Sequence, residues 1–395
     1  MAWSCWGRIR CIAGIRLAVL AVELCVYHVF TPYMSSHRLE RHSPLIVWDS
    51  LWFADIAAKG YDFEQKNAFY PGVPLLLRVL GSFLSSVAAE IAAVALANAS
   101  AITAIVMLVP VVEAHYPTLA KPWTVLVSLS QCSAFLSTAY TEPFFLLANA
   151  ACLRLLLPPS QTLTTGIPWR AVLMLPPLAA AGSLRSNGAV LAGYLWFVPF
   201  ISTVRVMGQG TRAMCRVIPR VALLSALAIC GTVLALVPTA AMALRAQAAL
   251  CPGRPWCGTV TGLYSFVQGE YWGVGFLQSL RPDQAGNILL AAPSLAIAGL
   301  AVVDPLNRQL RHAPADHRVQ LGLLLAVQTA VLLTAATVMH INVFARLLLT
   351  TQPLVLLPAL RRARVGSWVW SGVLGLIVGF GALGTVFVPL HLPFT

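Results

Sequence analysis

The chain has 395 residues, of which 58% are hydrophobic and only 10% charged, against about 25% charged in an ordinary soluble domain. Too few polar side chains are present to cover a water-soluble fold of this size, and the high hydrophobicity excludes intrinsic disorder. The formal charge of +13 comes from basic residues in short stretches between apolar runs, so it speaks for membrane topology and against a nucleic-acid surface.

What remains is an all-α polytopic membrane protein. One crossing takes about 20 apolar residues, which leaves room for roughly ten to twelve. A transmembrane β-barrel is excluded because the apolar runs are continuous rather than alternating. The runs fall at 9–30, 90–112, 123–139, 143–157, 171–185, 188–204, 221–244, 286–303, 319–340, 345–360 and 367–389, or about eleven spans. Arg8, Arg10 and Arg16 open the first run, and no small-residue cleavage site follows it. This reads as an uncleaved signal anchor with a cytosolic N-terminus.

Sidedness follows from four basic clusters: Arg8/Arg10/Arg16, Arg205/Arg212/Arg216/Arg220, Arg308/Arg311/Arg318 and Arg361/Arg362/Arg364. All are cytosolic only if an even number of spans separates neighbours. That parity makes 72–88, with Arg78 near its middle, an interfacial helix rather than a crossing. It also leaves two long non-cytosolic loops, 31–89 and 245–285. No internal repeat or appended soluble domain is visible, so residues 1–395 read as one transmembrane domain.

In the first loop, Trp48, Trp52 and Phe53 surround Asp49, and WDSLWFADIAAKG looks like a helix starting at that aspartate. A carboxylate among aromatic rings can serve as a base toward a hydroxyl, or merely cap the helix within an interfacial aromatic belt. In the turn STAYTEPFF, Glu142 is either a helix-start acid or a site residue. In AAGSLRSNGAV, Arg185 and Asn187 sit between apolar runs, and Arg346 shares a similar turn with His340. A guanidinium there either meets a phosphate or snorkels to the interface.

The second loop is rich in Gly, Tyr and Trp, with Tyr271 and Trp272 suited to sugar stacking and to a lipid interface alike. Cys251 and Cys257 are close enough to bridge in an oxidising compartment; a disulfide and two free thiols are both open. The other cysteines lie mostly in apolar runs and read as small hydrophobes. Metal-ligand spacing and phosphate-cradling Gly-Lys motifs are absent from the sequence, so neither a metal nor ATP-driven chemistry is expected.

Several stretches together resemble the PIG-V family of mannosyltransferases. They are WDSLWF with GYDFEQKNAFYPGVP (48–74), CSAFLSTAYTEPFFLL (132–147), SLRSNG (183–188), PWC with YSFVQGEYWGVGFL (255–277), NILLAAP (287–293) and MHINVFARLLLTTQP (339–353). The resemblance implies a GT-C type transmembrane bundle in the endoplasmic-reticulum membrane with its site in luminal loops. It further implies transfer of the second mannose, α-1,6-linked, to a GPI-anchor precursor. The donor is then dolichyl-phosphate mannose and the acceptor a mannosyl-glucosaminyl-phosphatidylinositol lipid, and a small accessory membrane subunit is left open.

By the same resemblance the family's Trp-Asp pair matches Trp48 and Asp49, which makes Asp49 the lead catalytic carboxylate, a base toward the acceptor hydroxyl; Trp48, Glu142, Arg185, Asn187, Tyr271, Trp272, His340 and Arg346 are read as substrate-binding residues. Some relatives carry an acid two residues after that aspartate; here the position is Leu51, so a single lead acid is kept. A polytopic transporter or flippase and an enzyme with another acceptor are the rival readings. Transporters tend to show paired repeats and ionisable groups at mid-membrane, whereas here few charges fall inside runs, Glu23 and Arg154 among them.

Overall fold

The computed structural model describes residues 4–30, 46–157, 168–207, 210–259, 262–311 and 317–392. Helices dominate these residues. Helix α1 (Cys5–Val29) starts where Ser4 accepts the Gly7 N–H, and α2 (Asp49–Lys59) ends at Gly60 with φ +79°. Next come α3 (Gly72–Gly81) and α4 (Ser86–His115), the latter capped by Ser85. The central part contains α5 (Ala120–Ser128), α6 (Ser133–Ser137), α7 (Glu142–Leu156), α8 (Pro168–Leu173) and α9 (Leu175–Leu184). It continues with α10 (Gly188–Leu191), α11 (Gly193–Val206), α12 (Thr211–Leu250) and α13 (Gly262–Trp272). The chain closes with α14 (Ala285–Arg311), α15 (His317–Ala335), α16 (Ile341–Thr351), α17 (Leu356–Arg364) and α18 (Trp368–Phe387).

Four stretches among the described residues are long and apolar enough to cross a membrane: Ser86–His115, Thr211–Leu250, Pro282–Asp304 and Trp368–Phe387. The segments Val343–Thr351 and Pro353–Arg364 qualify only as a pair bent by 93°. Other expected runs are broken into shorter pieces. The run 123–139 divides into α5 and α6, 171–185 is broken between α8 and α9, and 188–204 divides between α10 and α11. Pro353 explains one break, because its ring removes a donor and restricts Gln352 before it.

The expected loops are shorter and more structured than the runs suggest. In 31–89, the described part holds α2, a 3-10 turn at Glu64–Ala68 and α3; residues 31–45, with Glu40, lie outside the described residues. Helix α12 continues to Leu250, so the second loop begins at Cys251. Cys251 and Cys257 are joined as a disulfide. The side chains of Arg205, Arg308, Arg311 and Arg318 lie outside the described residues.

Arg16 departs from its expected place in a cytosolic basic cluster. It is fully buried and donates to the Ser133 hydroxyl and carbonyl at 2.9 Å each, and to the Ser137 hydroxyl. A buried guanidinium is tolerable only with several acceptors, and α6 supplies them from more than a hundred residues away. Arg8 does lie near a helix end, paired with Glu113 of α4 at 2.7 Å.

For the site, the central element is α7, which packs against α4, α9 and α16. Its first residue therefore meets the end of α9 and the first half of α16. The turn between α9 and α10 needs a glycine, because a Cβ on Gly188 would collide with the Ala181 carbonyl.

Candidate active site

Trp48 precedes α2 at φ +51°, a strained backbone for a bulky residue, and it sets the direction of Asp49 behind it. The Asp49 N–H donates to the hydroxyl of buried Tyr140 at 3.0 Å. Its carboxylate is 35% exposed and accepts through Oδ2 from Nη1 and Nη2 of Arg346, 3.3 Å each.

Arg346, on α16, is nearly buried, and its guanidinium lies over the Phe135 ring at 4.5 Å. Its Nε is 3.7 Å from Oε1 of Glu142. The same Glu142 oxygen accepts from Arg185 at 2.5 Å, while Thr141 donates to Oε2 at 3.1 Å. Four charges thus alternate along one line: Asp49, Arg346, Glu142 and Arg185. Glu142 and Arg346 are buried, so each needs the other to offset its lost hydration.

The remaining residues form a periphery. Asn187 donates to the Thr351 hydroxyl at 3.1 Å, tying the α9–α10 turn to the end of α16. His340 caps α16 and is half-buried, and no described hydrogen bond or ion pair joins its ring to the charged line. Trp48 stacks on His391 with ring centroids 6.3 Å apart, and its buried Nε1 meets no acceptor among the described residues.

The two large loops meet in an aromatic wall beside Asp49. Trp52, one turn along α2, stacks on Phe69 at 5.4 Å, and Trp272 stands edge-on to both, 6.1 and 5.6 Å away. A buried carboxylate of the first loop holds the second. Buried Glu64 accepts from the Trp256 Nε1 and, at 2.8 Å, from the Tyr271 hydroxyl. That bond to the carboxylate pushes the Tyr271 phenol above its ordinary pKa. Within the first loop itself, a clasp joins buried Lys66 to Asp55 at 2.5 Å and to Asp62. The Lys66 ammonium holds Asp62 below the usual carboxylate range. Burial opposes ionisation of Asp55, yet Lys66 and Lys59 outweigh it and hold that carboxyl low as well.

No three His, Cys, Asp or Glu side chains gather as a metal-ligand group among the described residues.

The Mannosyltransferase (PIG-V) family profile matches residues 17–364. This chain belongs to the PIG-V mannosyltransferase family. A Gibberella zeae protein named GPI mannosyltransferase 2 is 29% identical over 82% of this chain and 77% of its own length. An Aspergillus fumigatus protein of that name is 32% identical over 65% of this chain. The human GPI alpha-1,6-mannosyltransferase 2 is 29% identical over 62% of it. The chain spans a little over half of those last two, 56% and 54%. No solved structure matches.

PIG-V membership makes the protein a glycosyltransferase and removes the transporter reading. Of the residues singled out in the sequence, the fold brings Asp49, Glu142, Arg185 and Arg346 into one charged line, sets Trp48 and Asn187 beside it and Trp272 against Trp52 of the same helix as Asp49, and holds Tyr271 on Glu64 instead. Tyr140, Glu64 and Lys66 escape sequence reasoning. Their signal is weak: each is a single polar residue among aromatics, and Glu64 and Tyr140 have partners far away in sequence.

Proposed function

We propose that this PIG-V member is an α-1,6-mannosyltransferase that adds the second mannose of the GPI anchor. In this reading dolichyl-phosphate mannose is the donor and mannosyl-glucosaminyl-phosphatidylinositol the acceptor. The chain is a single GT-C type bundle of about eleven crossings in the endoplasmic-reticulum membrane, with both large loops luminal. The observation that carries the chemistry is a half-engaged carboxylate, Asp49, next to a guanidinium and an aromatic wall.

The reaction is a one-step inversion. The acceptor's 6-hydroxyl attacks the anomeric carbon and passes its proton to Asp49. A bond forms between that oxygen and the anomeric carbon, the bond from carbon to phosphate oxygen breaks, and dolichyl phosphate leaves with the negative charge. Arg346 and Arg185 offer fixed cations for that charge, the arrangement that favours a transition state most. Asn187 and His340 flank them as hydrogen-bonding groups, and Trp48, Tyr271 and Trp272 pack against sugar or lipid. The sugar phosphate brings its own driving force, so no nucleotide, cofactor or metal enters the scheme. One base suffices, because no covalent enzyme intermediate forms.

The test is complementation. Asp49→Asn, expressed in cells lacking the enzyme, inserts normally and fails to restore GPI-anchored surface proteins. Restoration by that variant removes Asp49 from the role of base.

A further inference from the structure

Away from the charged line, a cleft of about 350 Å³ opens between the far end of α2, α3 and the C-terminal part of α12. Its walls are apolar, including Ile56, Pro74, Leu75 and Met242, and two guanidinium groups line it, Arg78 and Arg245. Neither pairs with a carboxylate among the described residues. Arg78 donates to the carbonyls of Ile56 and Ala57; Arg245 donates to Asn67 and lies 4.2 Å over the Tyr61 ring. Leu75, Val79 and Leu244 beside the cleft are exposed, as suits a flank against hydrocarbon. Two cations without described counter-ions above an apolar hollow complement an anionic lipid head with its chains below.

The place of the cleft says which lipid. Arg78 is anchored at Ile56 and Ala57, seven and eight residues beyond Asp49, or roughly 10–12 Å along α2. The donor's phosphate is bonded directly to the anomeric carbon and has to lie at the reacting centre. The acceptor's phosphate is separated from its reacting hydroxyl by three rings: mannose, glucosamine and inositol. We propose that this cleft holds the phosphatidylinositol end of the acceptor, with its phosphodiester between Arg78 and Arg245 and its acyl chains along the apolar wall. The two phosphates are thereby divided, the donor's to Arg185 and Arg346, the acceptor's to this cleft. The assignment of the ligand rests on the function proposed above.

Two measurements on the full-length protein test it. In transfer assays, Arg245→Gln and Arg78→Gln each raise the acceptor KM about tenfold, the loss of one charge-assisted contact, with donor KM unchanged. Arg245→Lys recovers part of that loss, and Ala241→Trp, which fills the cleft without removing a charge, has the same effect as the Gln variants. A rise in donor KM, or no change in either, overturns the assignment. Native mass spectrometry of detergent-purified protein gives a readout independent of turnover. Wild type retains phosphatidylinositol but not diacylglycerol, and Arg245→Gln loses the retention; equal retention by the variant overturns the site. Arginine-dependent retention by a wild type that transfers no mannose upholds the lipid cleft and rejects the proposed function instead.

Discussion

Asp304 and Asp49 both pair with arginine, and they differ in how completely they are held. Asp304, toward the C-terminal end of α14, accepts from Arg361 through both oxygens at 2.6 and 2.7 Å and from Arg362 at 3.1 Å. Asp49 meets Arg346 through one oxygen only, at 3.3 Å, and is 35% exposed where Asp304 is 9% exposed. A carboxylate embraced on both oxygens is spent on holding helices together. One with a free oxygen beside an aromatic wall can still take up a proton. Composition does not distinguish the two, since each is an acid near arginines.

The largest expected effect breaks that contrast on the side of Asp49. Asp49→Asn lowers mannose transfer by about 10²–10⁴, the usual contribution of a general base, with thermal stability near wild type; Asp304→Asn leaves the rate within about twofold. Microsomal transfer assays alongside melting curves in detergent compare them directly. Next comes Glu142→Gln, which removes the carboxylate partner of Arg185 and leaves buried Arg346 with Asp49 alone. It destabilises the protein by about 3–5 kcal/mol, read as a lowered melting temperature, while Asp304→Asn costs about 1 kcal/mol because its arginines reach solvent.

A smaller effect sharpens the role of the forked cations. Arg185→Lys keeps the charge but loses the planar geometry, and raises donor KM about tenfold without lowering expression; unchanged donor KM and kcat detach Arg185 from the donor. The smallest concerns the loop clasp. Asp55 and Asp62 are both depressed, so their pairing with Lys66 stabilises fully above the ordinary carboxylate pKa of about 4 and is lost as pH falls through the lower folded values. The melting-temperature gap between wild type and Lys66→Met is therefore constant from pH 7 to 5 and narrows below about pH 4.

Local features of the site are legible in the amino-acid order alone. WDSLWFADIAAKG does form a helix from Asp49, Glu142 does open a helix, and the turn at Arg185–Gly188 is real. Arg185 and Arg346 are legible as cations that need a partner. The partner is not: in the folded protein it is Glu142 and Asp49. Arg16 is misplaced by sequence reading for a similar reason, because a charge inside an apolar run looks alike whether it snorkels outward or turns inward to Ser133. Glu64 and Tyr140 carry no readable signal, as their partners Trp256 and Asp49 lie 192 and 91 residues away.

What the sequence determined alone is the class of object: a basic, apolar, helical chain of many runs, with five of its thirteen acids in the first loop and motifs resembling those of PIG-V proteins. Those properties are sums over local composition and spacing, and they need no coordinates. The tertiary structure decided which carboxylate is fully held and which is half free, which runs are broken, and where two arginines flank an apolar cleft. Charges in a low-dielectric interior act over a few ångströms, and nearness on that scale is set by helix packing rather than by order along the chain.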